Sequence, residues 1–549
     1  MRPSALALLL AVGCRPDPFV AVGPEEAWHV VDPEGAPIGE AGIAPGENGG
    51  WVAWTRAHER AALVWVQAAP GTCARREQVG RTVWEASVDA DAWSWRRGLE
   101  RRGVSLGEPP AACLAEFGFH EGAGWRTDLL PWRTLLPELP IEPGDRRTYR
   151  VVDLATGRLL DLWVEAREHL DVIVDGAPVP SVRAFAHTAA EGRVLWYTAD
   201  RVRLLAVETP LERARLEREG VVLPPEPVPE PPAGVEEILW VVETPTQRLA
   251  GTLARPQDAK RPLPVVVLIA GSGAVDRDGD AGGLATGIQR TLAWHLAGRG
   301  LAVLRYDKRG VGGSVSLGQE RSSTLQDLAA DVRTWMDNLV ALPGLDPRCV
   351  LLVGHSEGGY LAPLVAGEDP RVRAVVLLAG PASRLDEIMR AQLRLLLEAH
   401  GADEATIERA ARRQEATLAV VASGRDREIL LPGWGSEAAD WLYSHLAHDP
   451  ETTLEAVRVP LLALFGRQDL QVPVEEATRM EAILAGSPES RVVVLDGLDH
   501  LLMPVTGSPG MGAYADPDRT VDPRVLDLVA EFLTRAGIHP PEAGGVPTG

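Results

Sequence analysis

Continuous apolar runs alternate with amphipathic stretches through the second half of the chain. Runs without polar alternation are typical of strands covered on both faces, as in a parallel sheet. Amphipathic stretches such as Thr324–Leu342 and Val474–Leu484 lie between them. This alternation predicts an α/β layered sheet with right-handed crossovers. The apolar runs are Val265–Ile269, Leu301–Tyr306, Val350–Val353, Val372–Leu378, Leu461–Phe465 and Arg491–Leu495.

A long interval, from about residue 384 to residue 450, separates two of these runs. It is rich in alanine, leucine, arginine and glutamate, and its pattern is mostly helical. Intervals of this length inside a compact domain are usually functional rather than simple connections. We therefore predict a helical cap or lid at 384–450.

A proline-rich acidic segment, Val221–Gly234, precedes the alternating half. Such a composition favours extended polyproline geometry, so we interpret 223–236 as a semi-rigid linker. The linker divides the chain into an amino-terminal domain at 20–222 and a carboxyl-terminal domain at 237–537. Residues 538–549 are predicted to form a flexible tail.

The amino-terminal domain has a different pattern. Glycine and proline punctuate short strand-like runs, which predict a β-rich domain. This region holds 11 of the 16 tryptophans, and tryptophan either lines ligand sites or fills the core of a sheet. We favour the core, and we find no catalytic constellation here. The strand-like runs are Ala62–Val66, Tyr149–Val152, Val172–Val174, Val194–Thr198 and Val202–Val207.

Composition and charge exclude several classes of protein. Hydrophobic residues make up 45% of the 549 residues and charged residues 24%, which is enough apolar material for folded cores. A net charge of −22 repels phosphate backbones, so no nucleic-acid partner is expected. No apolar run reaches the ~20 residues of a membrane span, which excludes a polytopic membrane protein. Lys260 and Lys308 are the only lysines among 55 basic residues, which we interpret as coding bias.

The first residues have the pattern of an export signal. Arg2 precedes the apolar stretch Ala5–Val12, and Gly13 and Cys14 follow it. A basic start, an apolar segment and small residues before a cleavage point describe a secretory signal, here at 1–18. Because the cysteine directly follows the small residues, the segment resembles a bacterial lipoprotein signal with Cys14 as the lipidated residue. An ordinary signal with an incidental Cys14 is the alternative.

The remaining cysteines fit an exported protein. Cys73 and Cys113 both lie in the first half and could pair in an oxidising periplasm, although they could equally stay apart. Cys349 begins an apolar strand and is predicted to be an inert thiol in the core.

The pentapeptide G-H-S-E-G at 354–358 directly follows the strand Val350–Val353 and precedes a helix-compatible segment. G-x-S-x-G between a strand and a helix is a nucleophile elbow, in which a tight turn raises the serine hydroxyl above the sheet. The alternative is a glycine-rich turn without chemistry. We take Ser356 as the candidate nucleophile.

A serine hydroxyl needs a base that is itself oriented by a carboxylate. In this strand–turn–helix context the acid and then the histidine each follow a later strand. Asp469 follows the run Leu461–Phe465, and His500 follows Arg491–Leu495. The predicted triad is therefore Ser356, Asp469 and His500. The rivals are the acids Asp496 and Asp499, on the histidine's own loop, and the bases His445 and His448, which lie in the predicted cap and follow no strand.

The oxyanion of the tetrahedral intermediate needs two preorganised N–H donors. One is predicted to be the backbone N–H of Glu357, directly after the nucleophile. The other should come from the glycine-rich loop after Val265–Ile269, where the N–H of Ser272 is our first choice and that of Gly273 our second.

Two charged segments flank these loops. The acidic stretch 276–280, D-R-D-G-D, lacks the glycine and the final carboxylate of an EF-hand, so we favour a salt bridge through Arg277 over calcium. The turn 306–310, Y-D-K-R-G, follows the next strand, and its charges are predicted to brace the floor of the site. No metal and no cofactor are expected.

Taken together, these motifs resemble bacterial α/β-hydrolase esterases that carry a separate amino-terminal domain. The resemblance covers about Val265–Leu533 and implies an α/β-hydrolase fold with a mainly parallel sheet and a helical cap. It also implies the triad named above, hydrolysis of short-chain carboxylic esters and no cofactor. Ala274 departs from the group, where proline is common. The motifs are G-S-G at 271–273 with D-R-D at 276–278, Y-D-K-R-G at 306–310, G-H-S-E-G-G at 354–359, D-L-Q-V-P at 469–473, His500, and T-G at 506–507 with Tyr514.

We therefore predict a serine carboxylesterase that acts on a small-molecule ester through an acyl-enzyme. The protein is expected in the periplasm or on the membrane surface, touching the membrane only through a lipid anchor. A serine peptidase or amidase of the same fold is the first alternative. The second is an envelope binding protein that uses the fold as an inert scaffold.

Overall fold

The computed structural model separates the chain into two compact units. One consists of Met1–Glu226 together with Met511–Asp516, and the other of Pro227–Gly510 and Pro517–Gly549. The structure describes residues 26–31, 37–45, 51–57, 62–69, 72–79, 82–89, 92–97, 100–105, 112–114, 132, 134–153, 158–189, 191–210, 214–225, 228–281, 284–317, 323–399, 401–423, 436–487, 489–507 and 509–538.

The first unit is built on one large, almost wholly antiparallel sheet. Its strands run in the order β8-β7-β6-β5-β4-β3-β2-β1-β15-β14-β13-β12-β11-β10-β9, and β16 pairs with β11. Among the described strands of this unit, only β9 and β10 pair in parallel. Strands adjacent in sequence are therefore mostly adjacent in the sheet, as expected of hairpin connections. The strands are β1 Glu26–Val31, β2 Pro37–Pro45, β3 Trp51–Ala57, β4 Ala62–Ala69, β5 Thr72–Val79, β6 Thr82–Asp89, β7 Ala92–Arg97, β8 Glu100–Ser105, β9 Ala112–Leu114, β10 Arg146–Asp153, β11 Arg158–Val174, β12 Ala177–His187, β13 Gly192–Thr198, β14 Leu204–Thr209, β15 Ala214–Arg218 and β16 Val221–Val222.

Three of the described tryptophans of this unit are buried, as expected of residues that fill a core. Trp28, Trp132 and Trp196 are buried, and the first two belong to a cluster with Leu195 and Tyr197 of β13. The Tyr197 hydroxyl donates to the carbonyl of Pro140, so its polar end is satisfied within the core. Burial raises the pKa of Tyr197 above its ordinary value.

The second unit is built on a nine-stranded sheet in the order β17-β18-β20-β19-β22-β23-β24-β25, with β21 paired to β18. Strands β17 and β18 are antiparallel to their neighbours, whereas β19, β20 and β22–β25 pair in parallel. This order is that of the α/β-hydrolase fold, as predicted. The strands are β17 Val235–Glu243, β18 Gln247–Pro256, β19 Leu263–Ile269, β20 Ala302–Tyr306, β21 Val315–Ser316, β22 Leu345–His355, β23 Val372–Leu378, β24 Leu461–Gly466 and β25 Arg491–Leu495.

All six predicted strands of this unit are confirmed, because each apolar run coincides with one of the parallel strands. The antiparallel pair β17 and β18 was not predicted. Burial alternates with partial exposure along β17, so it does not form a continuous apolar run. Its first residue, Val235, lies within the segment that we interpreted as linker.

Helices connect many of the strands in this unit. The helix predicted over Thr324–Leu342 is confirmed as α2: Thr324 caps it, and the side chain of Asp327 in its first turn accepts a bond back from the cap residue. Its buried residues recur every three or four positions, which turns one apolar stripe toward the sheet. The helices are α1 Ile288–Gly298, α2 Leu325–Asn338, α3 Gly358–Ala366, α4 Leu385–Ala399, α5 Glu404–Ala422, α6 Ser436–Leu446, α7 Pro450–Ala456, α8 Glu475–Leu484 and α9 Pro523–Ile538.

The interval predicted to be a cap is helical where the structure describes it. It contains α4, α5 and α6 between β23 and β24, and they share a small apolar cluster that includes Leu418, Val421 and Leu442. Among the described helices, none has both the length and the apolar character that crossing a bilayer requires.

Candidate active site

Ser356 occupies a strained turn between β22 and α3. Its φ is 53°, a left-handed conformation that a residue with a side chain adopts only when its surroundings impose it. The flanking glycines allow the turn because a Cβ at Gly354 would collide with the carbonyl of Gly358, and one at Gly358 with the carbonyl of Ile269. The spacing of G-x-S-x-G is therefore required by close backbone contacts at this elbow.

The structure brings Asp469 and His500 together. Asp469 follows β24 and His500 follows β25, and Nδ1 of His500 lies 2.8 Å from Oδ2 of Asp469. Both side chains are buried. The other oxygen of Asp469 accepts the backbone N–H groups of Gln471 at 2.7 Å and Val472 at 2.9 Å. Because a carboxylate only accepts, Nδ1 of His500 is the donor in this contact, and Nε2 is the ring nitrogen that does not engage Asp469.

The rival residues have other partners. Asp496 is exposed and pairs with Arg467. Asp499 pairs with Arg519 and accepts the N–H groups of Leu501 and Met503 on its own loop. Its carboxylate therefore shapes the loop that carries His500 and does not orient the imidazole.

The loop of His500 lies against the nucleophile elbow. Nε2 of His355, the residue before Ser356, lies 3.0 Å from the carbonyl of His500, and the two rings are 5.0 Å apart between centroids. Since a carbonyl only accepts, this nitrogen of His355 is the donor. Burial and then the neighbouring His500 lower the pKa of His355 to about 4, so its ring is neutral near pH 7.

The predicted oxyanion residues flank Ser356 on two loops. Gly271 is buried against the serine, since a Cβ there would lie 3.2 Å from that of Ser356, whereas Ser272 and Gly273 are exposed. Gly273 has a φ of +91°, which favours glycine. Glu357 lies at the start of α3, where backbone N–H groups have no acceptor within the helix.

Sequence reasoning missed the buried environment of the Glu357 side chain. Its Oε2 lies 2.7 Å from Nζ of Lys308, and its Oε1 lies 2.9 Å from Nε2 of His445. The indole N–H of Trp441 donates to Oε1 as well. Burial alone would raise the pKa of Glu357, but Lys308 and then His445 lower it to about 2.

His445, named above as a rival base in the predicted cap, is buried in α6. Its Nε2 lies 2.9 Å from Oε1 of Glu357, but the contact does not have hydrogen-bond geometry. The signal that could have found this cluster is Lys308 itself. Lys308 is one of only two lysines in the chain, and it lies in the loop directly after a predicted strand.

The salt bridge predicted through Arg277 is confirmed, with Asp307 of the next loop as its partner. The guanidinium of Arg277 contacts both oxygens of Asp307, at 3.0 Å and 2.5 Å. Asp278 pairs with Arg290 and Arg305. Within the described part of the chain, no group of three His, Cys, Asp or Glu residues is arranged to hold a metal ion.

Of the four cysteines, only Cys349 has a described side chain. It is free and buried in β22, as predicted, and burial raises the pKa of its thiol. The side chains of Cys73 and Cys113, and all of Cys14, lie outside the described residues. Their pairing and lipidation stay predictions.

The architecture of the second unit is the α/β-hydrolase fold. The family model Hydrolase_4, described as serine aminopeptidase S33, matches residues 283–504. This range includes the elbow and the pair Asp469 and His500.

The chain is also similar to individual proteins. Esterase EstD of Thermotoga maritima is 29% identical over 292 residues, which cover 52% of this chain and 66%, just under two thirds, of the relative. Among solved structures, Est1E from Butyrivibrio proteoclasticus is 15% identical over 55% of this chain and 99% of its own, with a TM-score of 0.36. The Pyrococcus furiosus esterase Pf2001 is 18% identical over 57% of this chain and 97% of its own, with a TM-score of 0.35.

Proposed function

We propose that this protein is a serine esterase that hydrolyses small carboxylic esters, with a preference for short acyl chains. The observation that carries the proposal is the buried contact of 2.8 Å between His500 and Asp469 on the loop that reaches the strained elbow of Ser356. In this mechanism His500 removes the proton of Ser356 as the hydroxyl attacks the ester carbonyl. The alcohol then leaves with that proton, and water releases the acyl group from the serine.

A chain-length series tests the proposal. We expect the purified protein to hydrolyse p-nitrophenyl acetate and butyrate with a higher kcat/KM than the decanoate. A fluorophosphonate probe should attach to Ser356, which mass spectrometry of the digest would locate. A folded protein that neither hydrolyses any of these esters nor reacts with the probe would contradict the proposal, and would favour the envelope binding protein.

The second candidate is a serine peptidase or amidase, because the matching family model is described as a serine aminopeptidase. The same serine, histidine and carboxylate suit amide hydrolysis. A proline p-nitroanilide assay beside the ester assay separates the two: release of the anilide with a kcat/KM equal to or above that for p-nitrophenyl acetate would favour the peptidase.

We also propose that the protein is exported and anchored through a lipid on Cys14. The proposal rests on the pattern of the first residues, which lie outside the described part of the chain. Expression in a bacterium with labelled palmitate should label the wild type and not the Cys14→Ser variant. Equal labelling of both would contradict it.

A further inference from the structure

A buried cluster built on an ion pair lies next to the predicted oxyanion donors. It consists of Lys308 from the loop after β20, Glu357 from the elbow and the imidazole of His445 from helix α6. The side chains are 10%, 3% and 1% exposed, so water screens their interactions little. The hydrolysis steps described above use none of these charged groups, although the predicted donors include the backbone of Glu357.

Lys308 fixes the direction of one predicted donor. Its Nζ donates to the carbonyl of Gly271 at 2.9 Å. That carbonyl and the N–H of Ser272 belong to the same planar trans peptide and point in opposite directions. Holding the carbonyl toward buried Lys308 therefore turns the N–H of Ser272 the other way. A cation on the carbonyl also polarises the peptide, which strengthens the N–H as a donor.

The same lysine holds the other predicted donor. The second contact of Nζ is with Oε2 of Glu357, at 2.7 Å, and Glu357 is the residue whose backbone N–H is the second donor. One ammonium group thus contacts both segments that carry the predicted donors, although these segments are far apart in sequence. An oxyanion hole accelerates a reaction only when its donors are already in place as charge develops.

The cap reaches the same carboxylate. Trp441 and His445 lie one turn apart on α6, and both contact Oε1 of Glu357. Nδ1 of His445 lies 2.8 Å from the carbonyl of Trp441, which holds the ring with Nε2 toward Glu357. A change in the position of α6 would therefore change the contacts of Glu357 at the elbow.

We propose that Lys308, Glu357 and His445 are positioning residues that preorganise the oxyanion hole, and that they make its geometry depend on helix α6 of the cap. The inference rests on the proposed function. Stability alone gives weak grounds for burying these charges, since apolar replacements of buried ion pairs are often neutral or stabilising.

The test compares Lys308→Met, Glu357→Gln and His445→Gln with a matched control, His448→Gln. His448 follows α6 and packs on Tyr360, with ring centroids 5.6 Å apart. It shares Tyr360 with His445, but it is not among the described ion-pair partners of Glu357. The readouts are kcat and KM for p-nitrophenyl acetate, the Ki of a trifluoromethyl ketone that forms a tetrahedral oxyanion on the serine, and thermal unfolding.

We expect Lys308→Met to lower kcat by roughly 10²-fold, comparable to the loss of one oxyanion donor, with KM little changed. The Ki of the ketone should rise in parallel with the fall in kcat. Glu357→Gln and His445→Gln should give smaller losses of the same kind, and His448→Gln should leave kcat and Ki at wild-type values.

The double variant Lys308→Met/Glu357→Gln separates positioning from folding. It removes the whole Lys308–Glu357 ion pair, so neither member is left buried without the other, and it should unfold at a higher temperature than Lys308→Met alone. If the cluster positions the donors, kcat stays low in the double variant; if kcat returns with stability, the inference is overturned. Should Lys308→Met fail to fold, the double variant carries the same test.

Three further outcomes have distinct meanings. An active wild type whose kcat and Ki are unchanged in Lys308→Met overturns this inference and leaves the proposed function standing. An equal loss in His448→Gln overturns the specific connection to the cap. A wild type that is inactive on esters and unreactive with fluorophosphonate removes the proposed function, and the inference with it.

Discussion

The two units of this protein use their sheets differently. In the first, nearly every strand pairs with its neighbour in sequence, and the described polar groups serve the fold, as when Tyr197 donates to Pro140. In the second, the parallel strands end at a common edge, so residues far apart in sequence meet there, as His355 and the carbonyl of His500 do at 3.0 Å. The comparison shows that the direction of the strands, more than the composition of a unit, decides where residues far apart in sequence can form a site.

The largest expected effect comes from removing the candidate nucleophile of the second unit. Ser356→Ala should lower kcat/KM for p-nitrophenyl acetate by roughly 10⁴-fold or more, because no other group can form the acyl-enzyme. Thermal unfolding should stay near that of the wild type, since the small side chain lies at a partly exposed turn. A variant that fails to fold would instead assign a structural role to this serine.

The second prediction tests which carboxylate orients the histidine. Asp469→Asn should reduce kcat by about 10⁴-fold, because the amide would stabilise the wrong tautomer of His500. Asp496→Asn is the matched control: this side chain is exposed and pairs with Arg467, so kcat should be unchanged. Similar losses in both variants would be evidence against Asp469 as the orienting acid.

The third prediction separates the stabilities of the two units. Leu195→Ala in β13 creates a cavity in the first core and should lower that unit's unfolding free energy by about 2–5 kcal/mol. Calorimetry should show one of two transitions shifted, with kcat unchanged. Leu352→Ala in β22, its counterpart in the second core, should shift the other transition. A single transition that moves in both variants would mean that the units unfold together.

The smallest expected effect concerns pH. Burial, followed by the neighbouring His445, lowers the pKa of His448 to about 4. Since the unfolded chain then binds the proton more tightly, stability should fall as pH decreases from about 6.5 to 4. His448→Gln removes this contribution, so its melting temperature should fall less steeply over that window. An identical slope in variant and wild type would refute the prediction.

Much of the second unit could be predicted from local pattern. Six apolar runs without alternation became the six parallel strands, because strands covered on both faces need apolar side chains at every position. Strand β17 was missed because its partly exposed positions interrupt the apolar run. For the site, Ser356, Asp469 and His500 could be proposed because each follows a strand, and strand ends of a parallel sheet meet at one edge.

What the sequence by itself determined is therefore where the parallel strands lie along the chain and which loops carry the candidate catalytic residues. Only the tertiary structure decided which of three nearby acids faces His500, and that Lys308, Glu357 and His445 share one buried cluster. Periodicity reports which side of an element is buried, but a contact between distant segments depends on how whole layers pack. Helix α6 shows this plainly, since its amphipathic pattern predicts a buried face and carries no information about the carboxylate that this face meets.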